Sequence, residues 1–254
     1  MIDLRDRYFG RVPINLLAYV LKYKLDTSFR TFLFLKKEST TGTFRLTEEL
    51  SLSVCKKASI SKKSLSRHLE QLIRAGFINQ DYSGLYFLRG YQRLQCKFRL
   101  SKGKLVSLED SHLEKKNFKT FIFASTIGER CTKHYWYTKR HRGQKSGGPK
   151  HRCRNYTDKE LSSPNSLRYV ELRYGISKSK AHVLFNKAIK LQYLYRIKDE
   201  QKTNIASAEI PKSRLNGGDL PIYCYAKNGK IVIRNSNRYI ACLEISGRRR
   251  NHSA

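Results

Sequence analysis

The chain has 254 residues, with 52 Lys and Arg against 20 Asp and Glu, a formal net charge of +32, and 39% apolar residues that include 12 Phe and 16 Tyr. This length suits about one or two domains of roughly 100–200 residues each. A charge so far from zero repels itself unless a polyanion neutralises it, so nucleic acid is the expected partner and an anionic membrane surface the rival.

The positive charge is spread along the chain. Residues 1–107 carry 21 cations and 8 acids, and residues 108–254 carry 31 and 12. Both halves are therefore expected to face the partner. The longest apolar run, "INLLAYVL" from Ile14, is far shorter than the roughly 20 residues a bilayer span needs. The opening "MIDLRDRYFG" mixes acids with bases and has no apolar core, so no signal peptide is expected. Six scattered Cys suggest no disulfide framework, which fits a reduced cytoplasmic setting.

In chain order, residues 1–26 read as a helical extension. "SFRTFLFLKKES" from Ser28 is an apolar helix, and "TGTFRLTEELSLSVCKKA" is a short strand and a second helix. Thr47 is its expected cap, with Glu48 and Glu49 in the positive first turn. "ISKKSLSRHLEQLIRAGFI", Ile60 to Ile78, carries a regular apolar stripe at Leu65, Leu69, Leu72 and Ile73. Ser61 is placed to cap this helix and Gly76 to stop it. "FINQ", "DYSG" and "LYFLRG" then read as strand, turn and strand.

Parts of this pattern recur. Phe29, Thr31, Phe32 and Phe34 return as Phe118, Thr120, Phe121 and Phe123, a shift of 89 residues. Leu65, Leu69, Leu72, Ile73, Phe77 and Ile78 return as Ala181, Phe185, Ala188, Ile189, Tyr193 and Leu194, a shift of 116. Two matches in the same order argue for two structural copies, with an insertion in the second between its first and third helices. In that copy, Ser111 and Glu114 suit a capping box opening a helix that runs to Gly128. Ser163 and Pro164 suit the start of the next helix, Gly175 its end, and Ser177 the cap of the third. "YLYRIKD" and "PIYCYAKNGKIVIR" are the expected hairpin strands, with Asn228–Gly229 as a tight turn. Between Glu129 and Asp158 lie nine cations and no acid, with Gly143, Gly147, Gly148 and Pro149. Residues 129–157 therefore read as a flexible basic arm outside both cores, laid along phosphates or into a minor groove.

The order helix, strand, helix, helix, hairpin over residues 27–104 resembles a winged helix-turn-helix. The expected fold class is α+β: two tandem winged helix-turn-helix domains, 27–104 and 105–254, with the basic insertion in the second. A tandem pair on a strongly basic chain resembles the replication initiators of plasmids and phages. The resemblance implies a sequence-specific double-stranded DNA-binding protein that in some forms self-associates; with no catalytic signature in the sequence, no enzymatic activity and no cofactor are expected. It would be cytoplasmic and nucleoid-associated when bound to DNA. A transcription regulator of a mobile element with the same build is equally compatible.

In such a fold the helix 61–76 would lie in the major groove and Gln80–Leu85 would be the wing tip, where Asp81 suits phosphate poorly. Lys62, Lys63, Ser64, Arg67 and His68 are its candidate DNA contacts, with Arg67 matched to guanine by its planar fork. The second helix offers Lys178, Ser179, Lys180 and His182. There Val183 and Leu184 replace Arg67 and His68, making a more apolar face. The arm offers Lys139, Arg140, Arg142, Lys145, Lys150 and Arg152 for phosphates.

Two other chemistries have weaker support. Cys131, His134, His151 and Cys153 are zinc-type ligands, but His151 and Cys153 lack the usual finger spacing. Tyr135, Trp136 and Tyr137 among cations suggest base stacking, which makes single-stranded nucleic acid or RNA binding the alternative function. No carboxylate cluster suited to catalytic magnesium and no glycine-rich phosphate loop is evident. Nor is there a signature of a small-molecule ligand or a membrane anchor.

Overall fold

A computed structural model describes residues 8–39, 41–101, 103–145, 163–197, 200–206, 224–227, 230–234 and 237–246. The chain is a mixed α+β protein with four three-stranded antiparallel sheets among these residues. No described helix is long and apolar enough to cross a membrane.

The N-terminal segment opens with strand β1 (Tyr8–Pro13), where a helical extension was expected, and continues into α1 (Ile14–Lys22). Pro13 ends the strand and, lacking an N–H, suits the entrance to a helix. Ile14, Leu16, Leu17, Val20 and Leu21 of α1 are buried. Helix α2 (Asp26–Glu38) is enclosed on all sides over Ser28–Leu35, as expected for a central core helix. β2 (Thr43–Arg45) and α3 (Glu48–Ala58) follow, and Thr47 caps α3 by accepting from Leu50 N at 3.2 Å.

Helix α4 (Lys62–Ala75) has the expected ends. Ser61 Oγ accepts from Ser64 N at 3.2 Å, and Gly76 closes the helix at φ +75°, where a side chain would be strained. β3 (Ile78–Gln80) and β4 (Leu85–Leu88) form the hairpin, and β4 lies between β2 and β3. Asp81 organises the turn: its Oδ1 accepts from Ser83 N, Ser83 Oγ and Leu85 N. These bonds, that of the Ser83 hydroxyl foremost, hold its carboxyl below the usual range.

After α5 (Tyr91–Lys97), strand β5 (Leu105–Glu109) pairs with β1 on one side and with β12 (Ile245–Ser246) on the other. Three distant parts of the chain thus meet in one sheet. A 3-10 helix (Asp110–Leu113) leads to α6 (Phe118–Lys145). Two expectations fail here. The capping box is formed by Glu109 and His112 around the 3-10 turn, not by Ser111 and Glu114. Nor does Gly128 end the helix. It sits inside α6, with Ile127 and Cys131 buried beside it and Thr132 Oγ1 donating to its carbonyl at 3.0 Å. The absent side chain lets β11 (Arg238–Ala241) and β12 approach: a Cβ there would lie 2.8 Å from Ala241 Cβ and 2.4 Å from Ile245 Cδ1.

Ser163–Pro164 is strand β6 rather than a helix start, and as the outer strand of its sheet it tolerates a proline. Ser166 caps α7 (Leu167–Tyr174) by accepting from Tyr169 N at 3.1 Å, and Gly175 ends it at φ +64°. Helix α8 (Lys178–Lys190) begins after Ser177, whose side chain makes no cap bond. β7 (Leu194–Ile197) pairs with β11, not with the expected hairpin partner. Between them in sequence, β8 (Glu200–Ala206), β9 (Cys224–Lys227) and β10 (Lys230–Arg234) form their own sheet in the order β8-β10-β9. Lys227 pairs with Lys230, while the anticipated turn Asn228–Gly229 lies outside the described residues.

The two halves share one element order: helix, strand, helix, helix, strand, strand. The sheets β2-β4-β3 and β6-β11-β7 share one strand order. Phe29, Thr31, Phe32 and Phe34 are buried, and so are Phe118, Thr120, Phe121 and Phe123. Leu65, Leu69 and Leu72 are buried, as are Ala181, Phe185 and Ala188. These side chains belong to a single continuous core.

Gly128→Ala should destabilise the protein by about 1–3 kcal/mol, the usual cost of overpacking, although alanine is the better helix former. Denaturant unfolding measures this. Unchanged or raised stability would contradict the close contact of α6 with β11 and β12.

Candidate nucleic-acid interface

Helix α4 buries Leu65, Leu69 and Leu72, which turns Lys62, Lys63, Ser66, Arg67, Glu70 and Arg74 outward. Lys63, Arg67, Glu70 and Arg74 follow the i, i+4, i+7, i+11 spacing of one helical stripe. Lys62 Nζ lies 2.8 Å from Glu48 Oε1, an exposed pair joining the first turns of α3 and α4. That hydrogen bond holds Glu48 below and Lys62 above their ordinary values.

Two of the five residues expected to touch DNA from α4 face elsewhere. Ser64 is half-buried, with its hydroxyl 3.0 Å from Ser61 Oγ at the helix cap. His68 turns toward α2, where Nδ1 lies 2.8 Å from Thr31 Oγ1. Its ring is half-buried because position 68 lies on the inner flank of the stripe. The repeat contained the signal, since Leu184, its counterpart in α8, is apolar and buried.

On α8, Lys178, Ser179, Lys180, His182 and Val183 are exposed, while Ala181, Leu184, Phe185 and Ala188 face the core. Lys178 Nζ lies 3.9 Å from Glu171 Oε2. His182 is within 3.4 Å of Asn186 Nδ2. Phe185 fixes the helix by stacking on Tyr239 at 4.3 Å and meeting Phe123 edge-on at 4.8 Å. The most exposed apolar side chain of the α8 face is Val183, where α4 has Arg67.

The expected arm is not all loop. Residues 129–145 continue α6, so Lys139, Arg140, Arg142 and Lys145 lie on its C-terminal part, as do Tyr135, Trp136 and Tyr137. Gly143 lies within that helix as well. Lys150 and Arg152 lie outside the described residues.

Cys131 is a core residue. Its Sγ donates to Tyr239 O at 3.0 Å, and burial pushes the thiol up to about 11, which opposes the thiolate a metal requires. His134 Nε2 lies 3.4 Å from Arg238 Nη2. His151 and Cys153 are outside the described residues. Among the described residues no group of three or more His, Cys, Asp or Glu is arranged to hold a metal.

A set of cations missed in the sequence lies between the two helices. Lys115, Lys116 and Lys119 occupy the connector and the first turn of α6. Lys115 and Lys119 line a cavity with Ser64 and His68 of α4. Lys187 of α8 donates to the Lys116 carbonyl. The connector therefore links the two basic helices. "EKKNFK" gave a signal, a cation cluster between apolar runs, but reading this stretch as one capped helix hid it.

Burial, with Arg67, Arg30 and Lys115 adding to it, holds the His68 imidazole below its ordinary 6.5. The neutral ring is therefore favoured by folding, and its contribution is present above pH 6.5 and lost as pH falls through the lower folded value. His112 and His134, also held low mainly by burial, act in the same direction. Stability should fall on acidification below about pH 6.5, and His68→Gln should make that fall shallower. Denaturation midpoints across pH 7 to 5, read as approximate bounds on this window, test it; an unchanged slope would place His68 in solvent.

Compared with protein-family models, with curated proteins and with solved structures, the chain matches none.

Proposed function

We propose that the chain is a sequence-specific double-stranded DNA-binding protein made of two tandem winged helix-turn-helix domains, resembling a plasmid or phage replication initiator. The observation that carries this reading is the repeated order of helix, strand, helix, helix and two strands, with the same strand order and an outward basic face on the third helix each time. In a winged helix-turn-helix that third helix enters the major groove. The net charge of +32 supplies the affinity for phosphate.

The two helices have unequal roles in this reading. Arg67, exposed at the centre of the α4 stripe, reads a guanine, and Lys62 and Lys63 contact phosphates. On α8, Lys178, Ser179 and Lys180 hold the backbone and His182 reaches the groove. Val183 gives an apolar contact suited to a thymine methyl. The hairpin β3–β4 is the wing of the first domain, and the β8–β10 sheet is an enlarged wing of the second. The cations in the C-terminal part of α6 add sequence-independent affinity.

Competition between duplex and single-stranded oligonucleotides at fixed salt tests the reading, and the duplex should win. Preference for the single strand would move base stacking by Tyr135, Trp136 and Tyr137 ahead. Arg67→Ala should weaken binding to a selected site by about 1–3 kcal/mol and relax the choice of one base pair. Equal weakening on random DNA would make Arg67 a phosphate contact.

Replacing Lys139, Arg140, Arg142 and Lys145 with Gln should weaken all duplexes alike. Each lost phosphate contact should make the salt dependence shallower by roughly one. An unchanged salt dependence would remove this part of α6 from the interface.

A further inference from the structure

At the junction of the two halves, α2, the end of α3 and the connector after β5 line an open cleft of about 770 Å3. Sites for small molecules fall at roughly 300–1,000 Å3. Arg30 forms part of its wall and is only 6% exposed. A guanidinium so far from water needs partners. Its Nε donates to Leu113 O, its Nη1 donates to Ala58 O at 2.6 Å, and its Cζ lies 5.4 Å from the Phe34 ring. These partners are neutral: no carboxylate among the described residues pairs with it. Its second terminal nitrogen makes no hydrogen bond to a described residue and is not among the fully enclosed unsatisfied atoms, which leaves it open to the space that Arg30 lines. A second cavity of about 120 Å3 also includes Arg30, together with Lys115 and Lys119.

The rim of the larger cavity extends this charge. Lys37, Lys57, Lys115 and Lys116 join Arg30 there, against two lining carboxylates, Asp110 and Glu114. Each carboxylate already faces a lysine: Asp110 lies 3.8 Å from Lys37 and Glu114 lies 3.6 Å from Lys116. Lys57 pairs with Glu38 at 2.5 Å. After these pairs Arg30 and Lys115 are the lining cations without a paired carboxylate among the described residues.

We propose that this cavity binds a phosphate group, with the free edge of Arg30 donating to its oxygens and Lys115 and Lys116 closing over it. With Nε and Nη1 already donating to carbonyls, Nη2 is left to donate to a phosphate oxygen in a charge-assisted hydrogen bond. The phosphate could belong to a free phosphorylated molecule or to a DNA backbone passing over α2, the end of α3 and the connector. The proposal does not depend on the duplex reading, because the first source requires no DNA.

The test uses the full chain. Thermal unfolding is followed in inorganic phosphate, in adenosine monophosphate, and in chloride at matched ionic strength. A ligand that binds only the folded state raises its stability. Duplex affinity is measured in parallel, with the double variant Lys22→Gln, Lys24→Gln, both exposed, as a surface control for the loss of two charges. If a free phosphate is the ligand, phosphate or the nucleotide stabilises the protein beyond chloride. The double variant Lys115→Gln, Lys116→Gln then weakens that binding on the order of tenfold, the loss of one charge-assisted hydrogen bond. If the backbone is the source, the small anions do nothing beyond chloride, while the Lys115→Gln, Lys116→Gln variant weakens duplex binding well beyond the charge-matched Lys22→Gln, Lys24→Gln control. Because Arg30→Lys tests the wall directly but endangers folding, the rim variant carries the decision. No stabilisation by either small anion, with duplex affinity no lower than in the control, would overturn the site. Duplex binding retained in that outcome would leave the proposed function standing.

Discussion

The positions of the basic helices depend on the packing of α2 against α6. These are the equivalent first helices of the two repeated units, and they meet through rings: Phe29 stacks against Phe118 at 6.5 Å and meets Phe77, which follows α4, at 5.6 Å. Arg30, the next residue on α2, donates to Leu113 ahead of α6 and to Ala58 at the end of α3. Interiors packed at this density have few alternative arrangements. With α4 against α2 and α8 against α6, the separation of the two basic faces is set by the core and not by a linker. The sheet β1-β5-β12 adds a second tie, joining the N-terminal strand, the inter-unit strand and the last described strand.

This arrangement accounts for the distribution of polar groups. In the core, the Arg30 guanidinium bonds to backbone carbonyls, and burial holds the half-buried His68 and His112 imidazoles below their ordinary values. Other cations stay outside, among them those of α4, α8 and the connector between them. The exposed pairs Lys62–Glu48 and Lys178–Glu171 among the described residues are of a kind that contributes little to stability. A surface so lightly compensated favours an external polyanion, which agrees with the duplex-binding reading.

The sequence revealed what depends on local chemistry. Thr47, Ser61 and Gly76 mark helix ends because capping and positive φ are decided within a few residues, and the repeat of Phe and Leu positions marked two units because each buries its own stripe. It misled where distant contacts decide. Gly128 has the composition of a helix stop, but its role is set by Ala241 and Ile245, more than a hundred residues away. Pro164 suggested a helix start but is accepted by an outer strand whose partner is Tyr239–Arg238. β11 was missed because it lies beyond a three-stranded excursion that conceals its pairing with β7. For the candidate interface, Lys62, Lys63 and Arg67 were legible from helical periodicity. His68 was misjudged by one helical position, and Lys115, Lys116 and Lys119 were missed because only tertiary structure carries the connector between the two helices.

The central claim is that two rigidly related helices engage one duplex. Hydroxyl-radical footprinting on a duplex selected from a random pool tests it most directly. The account predicts two protected segments about one helical turn, roughly 34 Å, apart. Neutralising Lys62, Lys63 and Arg67 should erase one segment, and neutralising Lys178 and Lys180 should erase the other. A single protected block that both sets of substitutions weaken together, or no protection of any duplex, would contradict it.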